Sequence, residues 1–287
     1  TNIVYPIYRH GKYIAHFTPG KRWDSLYTWD SGFIALGLLE CDPRLSEYII
    51  NLYFAEEDNR DFAYLHHGSP VPVEIYVYLE MLKRASAQEK NRLYHYYQRA
   101  KKFYDFLAGK KYGSVTAKFH SGLTGTYDYF KNTSGMDDLP PQEYTHLHRL
   151  EGVVSTAISP SQVILSAKVL KQIAYRLGLS EDVSDYEKEI EKLTRALQEY
   201  SWDPECGYFS YVVHDENMEP IGIMRNEDGE NLDKGLDGIY PLIAGVCTEQ
   251  QQKILLDHLK SDKELWSKVG ISAVDMSAGY YINNGYW

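Results

Sequence analysis

The sequence predicts an all-α fold of paired helices around one large core, arranged as a toroid or a solenoid. Three observations carry this. Apolar residues recur at helical spacing along most of the chain. The periodic stretches are separated by loops rich in Gly, Pro and His, and strand-like alternation is confined to one short strand or hairpin at 206–213. No internal repeat of fixed sequence is visible, which disfavours the solenoid.

The clearest helix covers 160–177, where Val163, Ile164, Ala167, Leu170, Ala174 and Leu177 share one face. Ser159 reads as its N-cap, Pro160 as its first residue, Gln162 as the capping-box partner and Gly178 as its stop. A second helix starts near Ser184, turns Tyr186, Ile190, Leu193 and Leu197 inward, and ends before Trp202. Further helices are expected at 31–40, 44–54, 71–85, 87–107, 235–246 and 248–259. The polar, turn-rich stretch 215–231 reads as a loop. No linker divides the chain, so residues 1–287 read as one domain.

Composition excludes several classes. With 287 residues, 44% of them hydrophobic and 24% charged, the chain has a globular rather than a disordered balance. It has no run of about 18 apolar residues, so no membrane-spanning helix is expected. A net charge of −10 argues against a nucleic-acid partner. Cys41, Cys206 and Cys247 are widely spaced, with no CxxC or Cys/His cluster, so neither a metal site nor a cofactor is indicated, and one disulfide stays open. A structural calcium would leave no sequence trace. The 26 tyrosines suit either packing between helices or a groove that stacks on sugar faces. Both ends, Thr1 and Trp287, read as cuts, which leaves compartment and oligomeric state open.

Four loop segments hold the chemistry. Pro19-Gly20-Lys21-Arg22-Trp23 leads to Trp29-Asp30-Ser31 just before a helix. Asp30 is either the cap of that helix or, with Arg22, a bidentate holder of sugar hydroxyls beside two indoles. Ser134-Gly135-Met136-Asp137-Asp138-Leu139-Pro140 places two carboxylates in a Gly/Pro-bounded loop. They are either solvated turn residues or, if buried near Met136, a site where one carboxyl gains a raised pKa and acts as a general acid. His66-His67-Gly68-Ser69-Pro70 has no third ligand at metal spacing and reads as a pocket wall containing His67. Tyr280 to Trp287, with Asn284 near its end, is an aromatic and amide-rich sugar-contacting surface.

The order of these segments resembles the inverting (α/α)6-barrel glycoside hydrolases of the trehalase and processing mannosyl-oligosaccharide glucosidase group. The PGGRF and WDS motifs of trehalases are similar to Pro19-Gly20-Lys21-Arg22-Trp23 and Trp29-Asp30-Ser31, with Lys21 and Trp23 departing. The ESGMDNSP motif of the processing glucosidases is similar to residues 133–140, where Thr133 replaces the Glu and Asp138-Leu139 replaces Asn-Ser. Trp202-Asp203 through Gly207-Tyr208-Phe209 resembles the WDxxxGxYF hairpin of the group. Tyr240 to Gly245 resembles its PLxAG segment, and Asn284 to Trp287 its Trp/Gly-rich substrate loop.

The resemblance implies an (α/α)6 toroid that cleaves an α-glucosidic or related α-linked bond with inversion. Asp137 would be the general acid, and Arg22, Trp23, Trp29, Asp30, His67, Asp138, Asn284 and Trp287 would contact substrate. The partner would be a carbohydrate. The group's general base is a late Glu, expected beyond Trp287, with Glu143 or Glu151 as weaker substitutes. Roughly nine to eleven helices are legible against the twelve of a closed toroid. The domain is therefore expected to lack its last helices, and this stretch to be inactive alone. The alternatives are a non-catalytic carbohydrate-binding protein on the same fold, or a glycosidase for a mannoside or rhamnoside.

Overall fold

A computed structural model describes residues 3–9, 12–18, 28–54, 71–126 and 133–283. Two strands come first, β1 (Ile3–Arg9) and β2 (Lys12–Thr18), paired antiparallel from Ile3↔Thr18 to Arg9↔Lys12. The sequence reading did not anticipate this hairpin. The rest is mostly helical: α1 (Thr28–Leu38), α2 (Pro43–Tyr53), α3 (Val73–Arg84), α4 (Ala87–Leu93), α5 (Tyr96–Leu107) and α6 (Pro140–Leu147). After β3 (Val154–Ser155) follow α7 (Ile158–Leu177) and α8 (Ser180–Ala196). Four short strands come next: β4 (Trp202–Asp203), β5 (Tyr208–Phe209), β6 (Val212–His214) and β7 (Pro220–Ile223). The chain then forms α9 (Tyr240–Ala244), α10 (Glu249–Lys260), β8 (Trp266–Ser267) and β9 (Gly270–Ile271).

Helix α7 is the axis of the core. It packs against α3, α5, α8 and α9, and Val163, Ile164, Ala167, Leu170 and Ala174 are buried as the spacing predicts. Each such aliphatic side chain contributes about 1.5–3 kcal/mol by leaving water, and Ala less. Gly178 ends the helix at φ +74, with the Leu179 N–H returning to the Ala174 carbonyl. The start of α7 differs from the expected capping box. The helix begins two residues earlier, at Ile158, and Thr156 Oγ1 takes the Ser159 N–H at 3.0 Å. Gln162 instead accepts the Tyr76 hydroxyl at 2.6 Å, tying α7 to α3. Helix α8 also starts earlier than expected, at Ser180, and closes in a π turn at Leu197–Ser201.

The expected helix at 87–107 is two. The capping box of Ser86 and Glu89 starts α4, but Leu93 is its one buried residue, so no second anchor holds it in line with α5. Helix α5 is held by Tyr97, Ala100, Phe103 and Tyr104 on one buried face. The expected helix at 235–246 shortens to a 3-10 turn at Asp237–Ile239 and the five-residue α9. Gly235 is drawn out of helix because it bridges Val274, with no room for a Cβ beside the Ala273 carbonyl. The expected loop at 215–231 contains β7, which adds to β6 in the sheet β3-β6-β7.

The hairpin at 202–209 forms as the family resemblance implies, with Trp202↔Phe209 and Asp203↔Tyr208 paired, while the strand expected at 206–213 is divided between β5 and β6, which belong to different sheets. Asp203 fixes its turn by accepting the Glu205 N–H at 3.0 Å, and its other oxygen takes Arg225 and Asn231, each at 2.9 Å. Among the tyrosines, Tyr53, Tyr78, Tyr97, Tyr104, Tyr186, Tyr208 and Tyr211 are fully buried, so these seven rings pack in the interior rather than line a groove. The three cysteines are free thiols. No described helix is long and apolar enough to cross a membrane.

Candidate active site

The acid loop, residues 133–139, is pinned at both ends. Thr133, Ser134 and Leu139 are buried. Ser134 Oγ accepts the Met136 N–H at 3.1 Å and donates to the Met136 carbonyl at 3.0 Å, closing a tight turn. Gly135 sits at φ +79, where a side chain is strained. A Cβ there would lie 2.4 Å from the Trp29 ring, so the indole rests directly on the glycine. Asp138 also takes a left-handed backbone, φ +60. Such strain in a non-glycine residue concentrates at functional sites.

The contact between Gly135 and Trp29 joins two of the segments singled out in the sequence. Trp29 and Asp30 lie in the first turn of α1, so Asp30 is inside the helix rather than at its cap. Trp29 is half-buried and meets Phe33 edge to face at 5.1 Å. Burial pushes the Asp30 carboxyl above its ordinary value.

Asp137 combines burial with like charge. One carboxyl oxygen is fully buried without a hydrogen-bond partner. Loss of water, and then the neighbouring Asp138 and Asp30 charges, push its pKa up to about 6. A carboxyl held there is substantially protonated near pH 6, which a proton donor needs.

The sequence reading missed Glu74. It lies in the first turn of α3, wholly buried, with both carboxyl oxygens unpartnered. Burial, and then the Asp30 charge, hold its carboxyl well above the usual range. Its available signal was a lone acid between Val73 and Ile75 at the head of an apolar helix. Helix α1 meets α3 closely here, since a Cβ on Gly32 would lie 2.4 Å from the Val73 Cβ. Asp30, Glu74 and Asp137 thus form one electrostatically coupled group from three segments.

An open cleft of about 970 Å³ lies beside the acid loop, lined by Met136, Leu236, Trp266, Lys268, Ser272 and Tyr281 among others. It offers an indole, a phenol, a hydroxyl and an ammonium next to the residue preceding Asp137. Of the substrate contacts read from sequence, Asp30 and Asp138 lie close enough to act on the Asp137 charge, and Trp29 rests on Gly135, two residues before it. Arg22, Trp23, His67, Asn284 and Trp287 lie outside the described residues. Glu151 is in an exposed pair with His146 at 2.8 Å, and Glu143 is in the first turn of α6.

One group of described residues has metal-ligand character. His258, Glu264 and Asp275 each offer a donor atom within 4.8 Å of the others. His258 Nδ1 meets Glu264 at 3.1 Å, and Asp275 accepts the Tyr208 hydroxyl at 3.0 Å and the Ser277 hydroxyl at 2.7 Å. None of these hydrogen bonds joins Asp275 to the other two, and His258 Nε2 is buried without a hydrogen-bond partner.

Paired helices around one core give the chain the fold of the (α/α)6 glycoside hydrolases. Within it, the chain belongs to the family of the mannosylglycerate hydrolase MGH1-like glycoside hydrolase domain, which it matches over residues 24–287. No curated protein matches it. Its fold is similar to that of the neutral trehalase of Saccharomyces cerevisiae, at 16% identity and a TM-score of 0.63, over 96% of this chain and 61% of that one. It is also similar to the GH63 mannosylglycerate hydrolase of Thermus thermophilus, solved with Tris, at 16% identity and a TM-score of 0.65, over 95% of this chain and 79% of that one. A rhamnosidase of Klebsiella oxytoca, solved with rhamnose, aligns at 16% identity and a TM-score of 0.51, over 84% of this chain and 42% of that one. The chain thus spans less than two thirds of the yeast trehalase.

Proposed function

We propose that the protein hydrolyses an α-glycoside with inversion, and that Asp137 is the general acid. The observation that carries this is the Asp137 carboxyl, raised to about 6 by burial and flanking carboxylates, next in sequence to Met136, which lines a large cleft. The proton on Asp137 passes to the glycosidic oxygen as the bond from that oxygen to the anomeric carbon breaks. Water attacks the opposite face of the sugar and gives its proton to a second carboxylate about 6.5–9.5 Å from the first. Trp29 supplies an apolar face for the sugar ring, and Asp30 accepts its hydroxyl hydrogens.

The substrate is a small α-linked glycoside of glucose or mannose. Two features support this: the family carries the name of a mannosylglycerate hydrolase, and Lys268 in the cleft suits an aglycone bearing a carboxylate. The full-length protein, incubated with α-mannosylglycerate, α-glucosylglycerate and trehalose, is expected by proton NMR to release the β-anomer first from the two glycerates, and equal α- and β-glucose from trehalose, whose leaving sugar keeps its α configuration. Initial release of the α-anomer alone refutes inversion. No turnover of any of the three by folded protein refutes the substrate class.

A further inference from the structure

Behind the acid loop runs a buried hydrogen-bonded chain. It begins at Asp237, the first residue of the 3-10 turn before α9. The Tyr211 hydroxyl donates to Asp237 Oδ2 at 2.6 Å. Gln142, in the first turn of α6, hydrogen-bonds Tyr211, and its side-chain N–H donates to Ser134 Oγ at 2.8 Å. Ser134 holds both the N–H and the carbonyl of Met136, and the next residue is Asp137. Ser134, Gln142 and Tyr211 are 0% exposed and Asp237 is 1% exposed.

An all-apolar filling would avoid the desolvation cost of four buried polar side chains, so their benefit lies in orientation. Gln142 is the hinge of that orientation. Its amide spans acceptors on two separate segments and so fixes the acid loop relative to the wall formed by Tyr211 and Asp237. The chain needs an acceptor at its far end. Asp233, also buried, faces Asp237, and burial together with the Asp237 charge pushes its carboxyl well above the ordinary range. Burial raises Asp237 as well, while the Tyr211 hydroxyl that donates to it favours the anion there, so Asp237 serves as the acceptor.

We propose that Asp237, Tyr211 and Gln142 are positioning residues that aim the Asp137 carboxyl at the glycosidic oxygen. This rests on the assignment of Asp137 as general acid. The three touch the acid through Ser134 and Met136, so their loss should impair only the step that needs a proton donor.

The experiment compares two substrates in the full-length protein: whichever of trehalose and α-mannosylglycerate is turned over, and the matching glycosyl fluoride. Fluoride departs without a proton donor. Tyr211→Phe keeps the ring packed against Val154, Met224 and Leu232 and removes only the hydroxyl. It is expected to lower kcat on the glycoside about 10-fold with little change in KM, as one lost orienting hydrogen bond implies, while leaving the fluoride rate nearly intact. Gln142→Met should do the same, and it serves if Tyr211→Phe does not fold. Asp237→Asn, which still offers Tyr211 an oxygen, should retain the wild-type ratio of the two rates, whereas Asp237→Leu should not. Equal loss on both substrates, or no loss on either, overturns the proposal. If wild-type protein turns over neither substrate, the functional assignment fails first. Positioning is then read from the carbon-13 titration of the Asp137 carboxyl. Tyr211→Phe must move its midpoint down from about 6 towards the ordinary range, and an unmoved midpoint overturns the proposal.

Discussion

The joining of the WDS segment to the acid loop rests on one contact, the Trp29 indole on Gly135, and Gly135→Ala tests it. Two costs apply at that position. The backbone is left-handed, φ +79, which costs an L-residue about 1–2 kcal/mol. The new methyl would also lie 2.4 Å from the Trp29 ring, and displacing a packed neighbour costs about 1–3 kcal/mol. Together they predict about 2–5 kcal/mol of destabilisation. Gly229→Ala is the matched control: its φ is +80 and nothing lies within 4 Å of the added Cβ, so it should show the backbone cost alone. Urea denaturation followed by circular dichroism gives both values. Replacing Trp29 by Leu in a double-mutant cycle should shrink the excess at Gly135. If Gly135→Ala costs no more than Gly229→Ala, the indole does not rest on the glycine, and Trp29 and Asp137 do not share a site.

Two further outcomes follow from the carboxyl group. If Asp137 is the acid, kcat/KM should fall as pH rises through about 6, Asp137→Asn should lower kcat by about 10²–10⁴-fold, and Asp138→Asn should move the alkaline limb to lower pH by removing a like charge; a pH-rate series with no limb near 6 contradicts this. Glu74 is held above its unfolded value, so the native state binds the extra proton and stability falls as pH rises from the unfolded pKa towards the folded one. Glu74→Gln removes that dependence, so thermal melts should show the variant gaining on wild type at pH 8 and matching it at pH 4; a constant difference across pH refutes the buried, unpartnered carboxyl.

Much of this protein was legible in order along the chain. Helical periodicity located α7 and its stop at Gly178, because the face it buries and the left-handed cap are local properties. The hairpin at 202–209 was legible through the motif it shares with the family, whose Asp, Gly and aromatic residues satisfy each other within eight positions. The acid loop announced itself through two carboxylates bounded by Gly and Pro. Local patterns could not say which of two readings each residue takes. Whether Asp137 is a solvated turn residue or a raised acid depends on Trp29, Asp30 and Asp138 arriving around it, and Trp29 and Asp30 come from more than 100 positions away. Glu74 drew no notice in the sequence, because its burial follows from α1 packing against α3. Likewise, Gln142 joined Ser134 to Tyr211 only once α6 packed against the wall before β6. Periodicity and capping are written in neighbouring residues, so sequence determined where most helices and the candidate loops lie, though not every break and cap within them. Desolvation and charge coupling are set by what surrounds a group in space, so only the tertiary structure decided which carboxyls can hold a proton.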